Sequence, residues 1–134
     1  MRVDESADPR TVSVGNSREI AYETYGSQTG TPLLVFHGTP GSRLFGSLFD
    51  EAARQRDVQI VAIDRPGYGQ SSFWKGFDPA DIGEIVAPVL SELEIAAAGV
   101  LAFSGGSPYA LALAAERPDI VLKVDLVAGA TPPS

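Results

Sequence analysis

The stretch Val100-Leu101-Ala102-Phe103-Ser104-Gly105-Gly106-Ser107-Pro108-Tyr109 decides the fold, because an apolar run passes within three residues into the start of a helix. The apolar run is typical of a strand that is covered on both faces. Where such a strand turns sharply into a helix, the central residue is strained and its side chain is lifted above the sheet. The residues two before and two after it must be small, and here they are Ala102 and Gly106. The stretch predicts that the hydroxyl of Ser104 is exposed.

Three interpretations of this turn fit its own residues. It is a nucleophile elbow, whose usual pattern is G-x-S-x-G, or a plain tight turn, or a nest of backbone amides that binds an anion at a helix start. Ala102 stands where the elbow pattern has its first glycine, and it adds a single methyl group. The choice among the three depends on the loops that follow the other strands.

Short apolar strands alternate with amphipathic segments on both sides of this turn. The predicted elements are strands at 11–15, 19–25, 33–36, 58–63, 100–103 and 121–127, and helices at 42–56, from 78 onward and at 107–116. Asn16-Ser17 predicts a hairpin turn between the first two strands. This order predicts an α/β fold with a mostly parallel, twisted sheet and helices on both faces. We expect one domain over 11–134, preceded by a flexible tail over 1–10.

The composition of the chain argues against several classes of function. The 134 residues carry a formal net charge of −7, which argues against nucleic acid as a partner because phosphate binding needs a basic surface. The absence of cysteine excludes disulfides, thiolate metal sites and cysteine nucleophiles, and a single histidine excludes a His-rich metal site. We therefore predict no metal and no cofactor. No signal peptide or apolar run of membrane-spanning length is present, so we expect a cytoplasmic protein that does not enter a membrane.

Two further loops follow buried strands, at the edge where parallel α/β sheets bind their ligands. His37-Gly38-Thr39-Pro40-Gly41 resembles the oxyanion loop of α/β-hydrolases, and Asp64 to Ser72 resembles their D-x-x-G-x-G-x-S loop. The three motifs occur in the order that this family has. The chain is therefore identified as resembling the α/β-hydrolase fold superfamily, in its serine-nucleophile branch. The resemblance runs from the first hairpin to the sixth strand, which is the amino-terminal portion of that fold.

The resemblance implies a role for each matching residue. It makes Ser104 the catalytic nucleophile and the backbone N–H groups of Gly105 and Thr39 the oxyanion hole. It assigns support of the oxyanion loop and the elbow to His37, Gly38, Gly41, Ala102 and Gly106. A serine nucleophile fits an ester, thioester or amide of a small molecule better than an epoxide or a haloalkane. Asp64 is expected to organise its own glycine-rich loop rather than to act in catalysis.

The general base and the acid that the family needs are missing from this sequence. They follow the nucleophile in the order Ser, acid, His, yet no histidine follows Ser104, and Asp125 lies within the last strand. The only histidine, His37, lies in the oxyanion loop. We therefore expect a truncated fold that lacks the last strands, the lid and the closing helix, and an isolated chain that is nearly inactive.

Because the acid and the general base are missing, two interpretations of function remain open. In the first, the chain is part of a serine hydrolase, and a segment along the exposed last strand supplies the acid and the histidine. In the second, it is a non-catalytic, truncated hydrolase module used for ligand binding or protein interaction. An unpaired strand also predicts self-association, since sheet edges template pairing with another chain.

Overall fold

The computed structural model describes residues 10–38 and 41–127. Within these ranges six strands form one sheet, and three α-helices pack against it, each preceded by a short 3₁₀ segment. The strands are β1 (Arg10–Ser13), β2 (Glu19–Gly26), β3 (Thr31–Phe36), β4 (Val58–Ile63), β5 (Ala98–Phe103) and β6 (Val121–Val127). The helices are α1 (Asp50–Gln55), α2 (Ile82–Glu92) and α3 (Ser107–Glu116). The 3₁₀ segments are Arg43–Phe49, Pro79–Asp81 and Ser104–Gly106.

The strand order is β1-β2-β4-β3-β5-β6. The strands β4, β3, β5 and β6 run parallel to one another. Strand β2 pairs antiparallel with both of its neighbours, β1 and β4. The predicted fold class is therefore confirmed. Because β3, β4 and β5 are adjacent, their carboxyl ends bring the three predicted loops to one edge of the sheet.

The hairpin between β1 and β2 is the turn that the sequence predicts. Asn16 and Ser17 both have positive φ, 51° and 58°, as a type I′ turn requires. The N–H of Arg18 closes the turn on the carbonyl of Gly15 at 2.9 Å. Strand β1 begins at Arg10, which the sequence had placed in the tail, and residues 1–9 of that tail lie outside the described residues.

Two apolar layers cover the sheet, as the alternation along its strands dictates. One layer joins residues such as Leu34, Val61 and Val100 to the buried faces of α2 and α3. The other joins their sequence neighbours, Val35 and Ile60 among them, to α1 and the segment before it. Helices therefore lie on both faces, which confirms that prediction. None of the helices in the described ranges is long and apolar enough to cross a membrane.

The helix predicted at 42–56 is wrong in its first half. Residues Arg43–Phe49 form a 3₁₀ helix, and only Asp50–Gln55 is α-helical. Tertiary contacts constrain the first half: the N–H of Arg43 donates to Asp64, and Gly46 packs against the sheet. A β-carbon on Gly46 would lie 2.9 Å from the Ala62 methyl group, so the backbone approaches the sheet as closely as it can.

Candidate active site

Ser104 lies at the turn between β5 and α3 with its side chain exposed. Its φ is +44°, a left-handed conformation that non-glycine residues seldom adopt. Such a backbone costs of order 1–3 kcal/mol and persists only where the surrounding structure imposes it. The structure therefore has the strained turn and the exposed hydroxyl that the sequence predicts.

Close packing against the end of β3 explains why the residue two positions after Ser104 is a glycine. A β-carbon on Gly106 would lie 2.8 Å from the carbonyl oxygen of His37 and 2.9 Å from that of Phe36. The methyl group of Ala102, two positions before Ser104, belongs instead to the apolar core and is fully buried. The departure from the G-x-S-x-G pattern is thus accommodated without opening the turn.

The glycine-rich loop after β3 lies directly beside this turn. A β-carbon on Gly38 would be 3.6 Å from the β-carbon of Ser104, at van der Waals distance. Gly41 folds back onto the start of the loop, since a β-carbon there would lie 2.7 Å from the Gly38 carbonyl oxygen and 3.0 Å from His37 Nδ1. Thr39 and Pro40 lie outside the described residues, so the predicted Thr39 donor stays a prediction, as does the Gly105 amide.

His37 is locked in place and neutral. It is 1% exposed, its Nδ1 lies 2.7 Å from the Gly38 carbonyl oxygen, and its Nε2 lies 3.3 Å from the N–H of Arg65. A carbonyl only accepts and an N–H only donates, so Nδ1 carries the proton. Burial, and then the charge of Arg65, lower the pKa of His37 from 6.5 to about 4. Both ring nitrogens are therefore engaged in hydrogen bonds, and that His37 is not the base for Ser104 stays a prediction.

Asp64 organises the loop that follows β4, as the sequence predicts. Its fully buried carboxylate accepts from the N–H of Gln70 at 2.9 Å and pairs with the buried guanidinium of Arg43 at 2.9 Å. The hydroxyl of Ser71 donates to its carbonyl at 2.6 Å. Gly69 has a φ of +50°, and a β-carbon there would overlap the carboxylate at 2.1 Å. All of these contacts are structural, and none is directed at Ser104.

Arg65 is the residue near the site that the sequence analysis missed. It is 2% exposed, and its guanidinium donates to the carbonyl oxygen of His37. Its position two residues after a buried strand, in the loop that also holds Tyr68, is the sequence feature that could have indicated it. Tyr68 packs its ring edge-on against His37 at 5.0 Å, whereas the side chain of Phe73, later in the same chain segment, is 76% exposed. In the described ranges no group of three or more metal-ligating side chains is arranged to hold an ion.

The architecture of an α/β-hydrolase is defined by a largely parallel sheet, a strained serine after one of its inner strands and a tight glycine loop beside that serine. Comparison with known proteins agrees. A family model described as alpha/beta hydrolase fold matches residues 31–134, and the chain belongs to that family.

Three relatives illustrate this similarity. The chain is 32% identical over 125 residues to the dihydrolipoyllysine-residue acetyltransferase component of the acetoin cleaving system of Pseudomonas putida, covering 91% of this chain and 33% of that protein. It superimposes on an alpha/beta hydrolase fold protein from Nakamurella multipartita with a TM-score of 0.79 and 34% identity, covering 91% and 41%. An esterase from Exiguobacterium antarcticum superimposes with a TM-score of 0.78 at 22% identity, covering 92% of this chain and 46% of that one. This likeness shows the fold. The chain thus spans about a third of the curated relative's length and less than half of each solved structure.

The strain at Ser104 predicts that removing its β-carbon stabilises the protein. We expect Ser104→Gly to raise the free energy of unfolding by about 1 kcal/mol, because the relief of a left-handed backbone exceeds the added entropy of an unfolded glycine. Ser104→Ala keeps the β-carbon and is the control. Urea denaturation at pH 7 measures the free energy of unfolding of both variants. Equal values would contradict the claim that the backbone at Ser104 is strained.

Proposed function

We propose that this chain is the nucleophile-bearing portion of a serine hydrolase that acts on an ester, thioester or amide of a small molecule. Ser104 is the nucleophile, and the backbone N–H groups of Gly105 and Thr39 form the oxyanion hole. The proposal places the acid and the histidine in polypeptide outside residues 1–134. The observation that carries it is the exposed Ser104 at φ +44°, beside a Gly38 on which an added β-carbon would lie 3.6 Å from that of Ser104.

The chemistry assigned to these groups is acyl transfer. The Ser104 hydroxyl oxygen attacks the carbonyl carbon while the external histidine takes its proton, and the two amides stabilise the oxyanion that forms. Each such donor contributes about 3–4 kcal/mol in the transition state. The histidine then returns the proton to the leaving group, and water hydrolyses the acyl-enzyme by the same route. His37 does not substitute for the external base, because its ring nitrogens already bind Gly38 and Arg65.

The proposal also gives the complementing segment a place to bind. Strand β6 lies at the end of the strand order, and Leu122, Leu126 and Val127 on it are 67%, 42% and 45% exposed. An apolar cavity of about 300 Å³ beside β6 is lined by Leu122, Leu33 and Gly99, among others. We propose that the segment pairs with β6 and covers this surface. Self-association along β6 is the competing arrangement.

A non-catalytic module is the second candidate, and the locked state of His37 favours it. If no polypeptide supplies a base, Ser104 has no group to activate it, and the same turn serves only to bind a small ligand. The two candidates therefore differ in whether the Ser104 hydroxyl becomes nucleophilic in the completed protein. By completed protein we mean this chain together with the polypeptide, continuous or separate, that supplies the acid and the histidine.

A fluorophosphonate probe tests this difference, because it reacts with activated serine hydroxyls. We expect labelling of Ser104 in the completed protein, little labelling of the isolated chain, and none in Ser104→Ala. Ser91→Ala, which removes another exposed serine, is the matched control and should label as the unaltered protein does. Peptide mapping by mass spectrometry identifies the labelled residue. Absence of labelling in the completed protein would favour the non-catalytic module.

A further inference from the structure

Arg65 joins three elements that surround the candidate active site. It lies two residues after the end of β4 and is among the largest fully buried side chains of the described residues. Its contacts reach His37 at the end of β3, Tyr68 in its own loop and Tyr109 on α3. A buried arginine costs folding free energy unless its charge is compensated by specific contacts. The contacts of Arg65 therefore indicate what it does in the fold.

Arg65 holds His37 at two points. Its guanidinium donates to the His37 carbonyl oxygen, and its backbone N–H donates to Nε2 of the His37 ring at 3.3 Å. His37 is the residue immediately before Gly38, on which an added β-carbon would lie 3.6 Å from the β-carbon of Ser104. The two contacts therefore fix the direction in which the oxyanion loop leaves β3.

Arg65 also packs against the helix that follows the elbow. Its guanidinium carbon lies 4.8 Å from the ring centroid of Tyr109 and 5.3 Å from that of Tyr68. The Tyr109 ring is backed in turn by Phe77, stacked at 5.8 Å with an angle of 9° between the ring planes. A guanidinium suits this site because it is planar, stacks on aromatic rings and donates in a fixed fork.

We propose that Arg65 is a positioning residue, which holds the oxyanion loop against the nucleophile elbow through His37. The inference rests on the proposed function, since positioning has a catalytic effect only if Ser104 is a nucleophile. Arg65 acts through His37, whose carbonyl oxygen and ring it contacts. Lysine keeps the charge at this position but has neither the planar fork nor the stacking surface, so Arg65→Lys separates charge from positioning.

Steady-state kinetics in the completed protein test the proposal. We expect Arg65→Lys to lower kcat for p-nitrophenyl acetate about 100-fold with KM unchanged within about twofold, because displacing a catalytic group by about 1 Å costs about that much in rate. Arg18→Lys is the matched control, since Arg18 also stacks on an aromatic ring, Trp74 at 4.1 Å, but belongs to the β1–β2 hairpin. A kcat equal to that of the unaltered protein, or equal losses in both variants, would overturn the proposal.

A second measurement decides the inference even if the proposed function fails. His37 is the only histidine, so its ring nitrogens give one identifiable set of ¹⁵N NMR signals in the 134-residue chain. We expect Arg65→Lys to shift the His37 ring and Gly38 amide signals while the thermal unfolding transition remains, and Arg18→Lys to leave them in place. Arg65→Lys retains the charge and the aliphatic stem, so we expect this variant to fold. Unchanged His37 and Gly38 signals in a folded Arg65→Lys chain would overturn the inference, whatever the activity.

Discussion

Replacing Ser104 by alanine in the completed protein should lower kcat for p-nitrophenyl acetate by a factor on the order of 10⁶, with KM little changed. Removing the nucleophile of a serine-hydrolase triad has an effect of that size, because the acyl-enzyme route is lost altogether. The proposed oxyanion hole and substrate binding would remain in this variant and account for its residual rate. Initial-rate kinetics over a range of ester concentrations separate kcat from KM.

The isolated chain provides the complementary measurement. It should hydrolyse the same ester hardly faster than buffer, because His37 is engaged at both ring nitrogens and no histidine follows Ser104 in the sequence. Rapid turnover by the isolated chain that Ser104→Ala abolishes would show that the base lies within residues 1–134. That result would contradict the external base while leaving Ser104 as the nucleophile.

The position of the candidate site was predictable because short motifs follow buried strands. In a parallel sheet the carboxyl ends of neighbouring strands share one edge, so motifs after β3, β4 and β5 converge there. The left-handed backbone at Ser104 and the crowding at Gly106 were also predictable, since a sharp strand-to-helix turn requires both. These features depend on local sequence and on strand order alone.

The buried cations were not predictable in the same way. Arg43 lies in a segment whose apolar spacing predicts an ordinary surface helix, and Arg65 lies in a loop rich in glycine and proline. Both arginines become buried only when distant elements meet: Arg43 pairs with Asp64, 21 positions along the chain, and Arg65 contacts His37, 28 positions away. Composition and periodicity describe only a residue's neighbours in sequence. They therefore indicate that Asp64 organises its own loop, but they do not indicate that Arg43 is its partner.

The pair of Asp64 and Arg43 carries the largest stability effect that we expect. Asp64→Ala should lower the free energy of unfolding by about 3–5 kcal/mol, because it leaves the guanidinium of Arg43, with a side chain only 5% exposed, without its buried counter-ion. The N–H groups of Arg43 and Gln70 lose their acceptor in the same step. Urea denaturation at pH 7 followed by circular dichroism measures the loss.

An exposed pair of the same chemistry is the matched control for this prediction. Asp119 and Arg117 are 3.0 Å apart, close to the 2.9 Å of the buried pair, but their side chains are 62% and 41% exposed, so Asp119→Ala should leave the stability almost unchanged. The double variant Asp64→Ala, Arg43→Met should recover part of the loss, since it removes the buried charge that the single variant leaves unpaired. Equal and small effects of Asp64→Ala and Asp119→Ala would mean that the buried pair does not hold the loop after β4. Recovery in the double variant would locate the cost in the unpaired charge of Arg43 rather than in the missing amide acceptors, because those amides lack their acceptor in both variants.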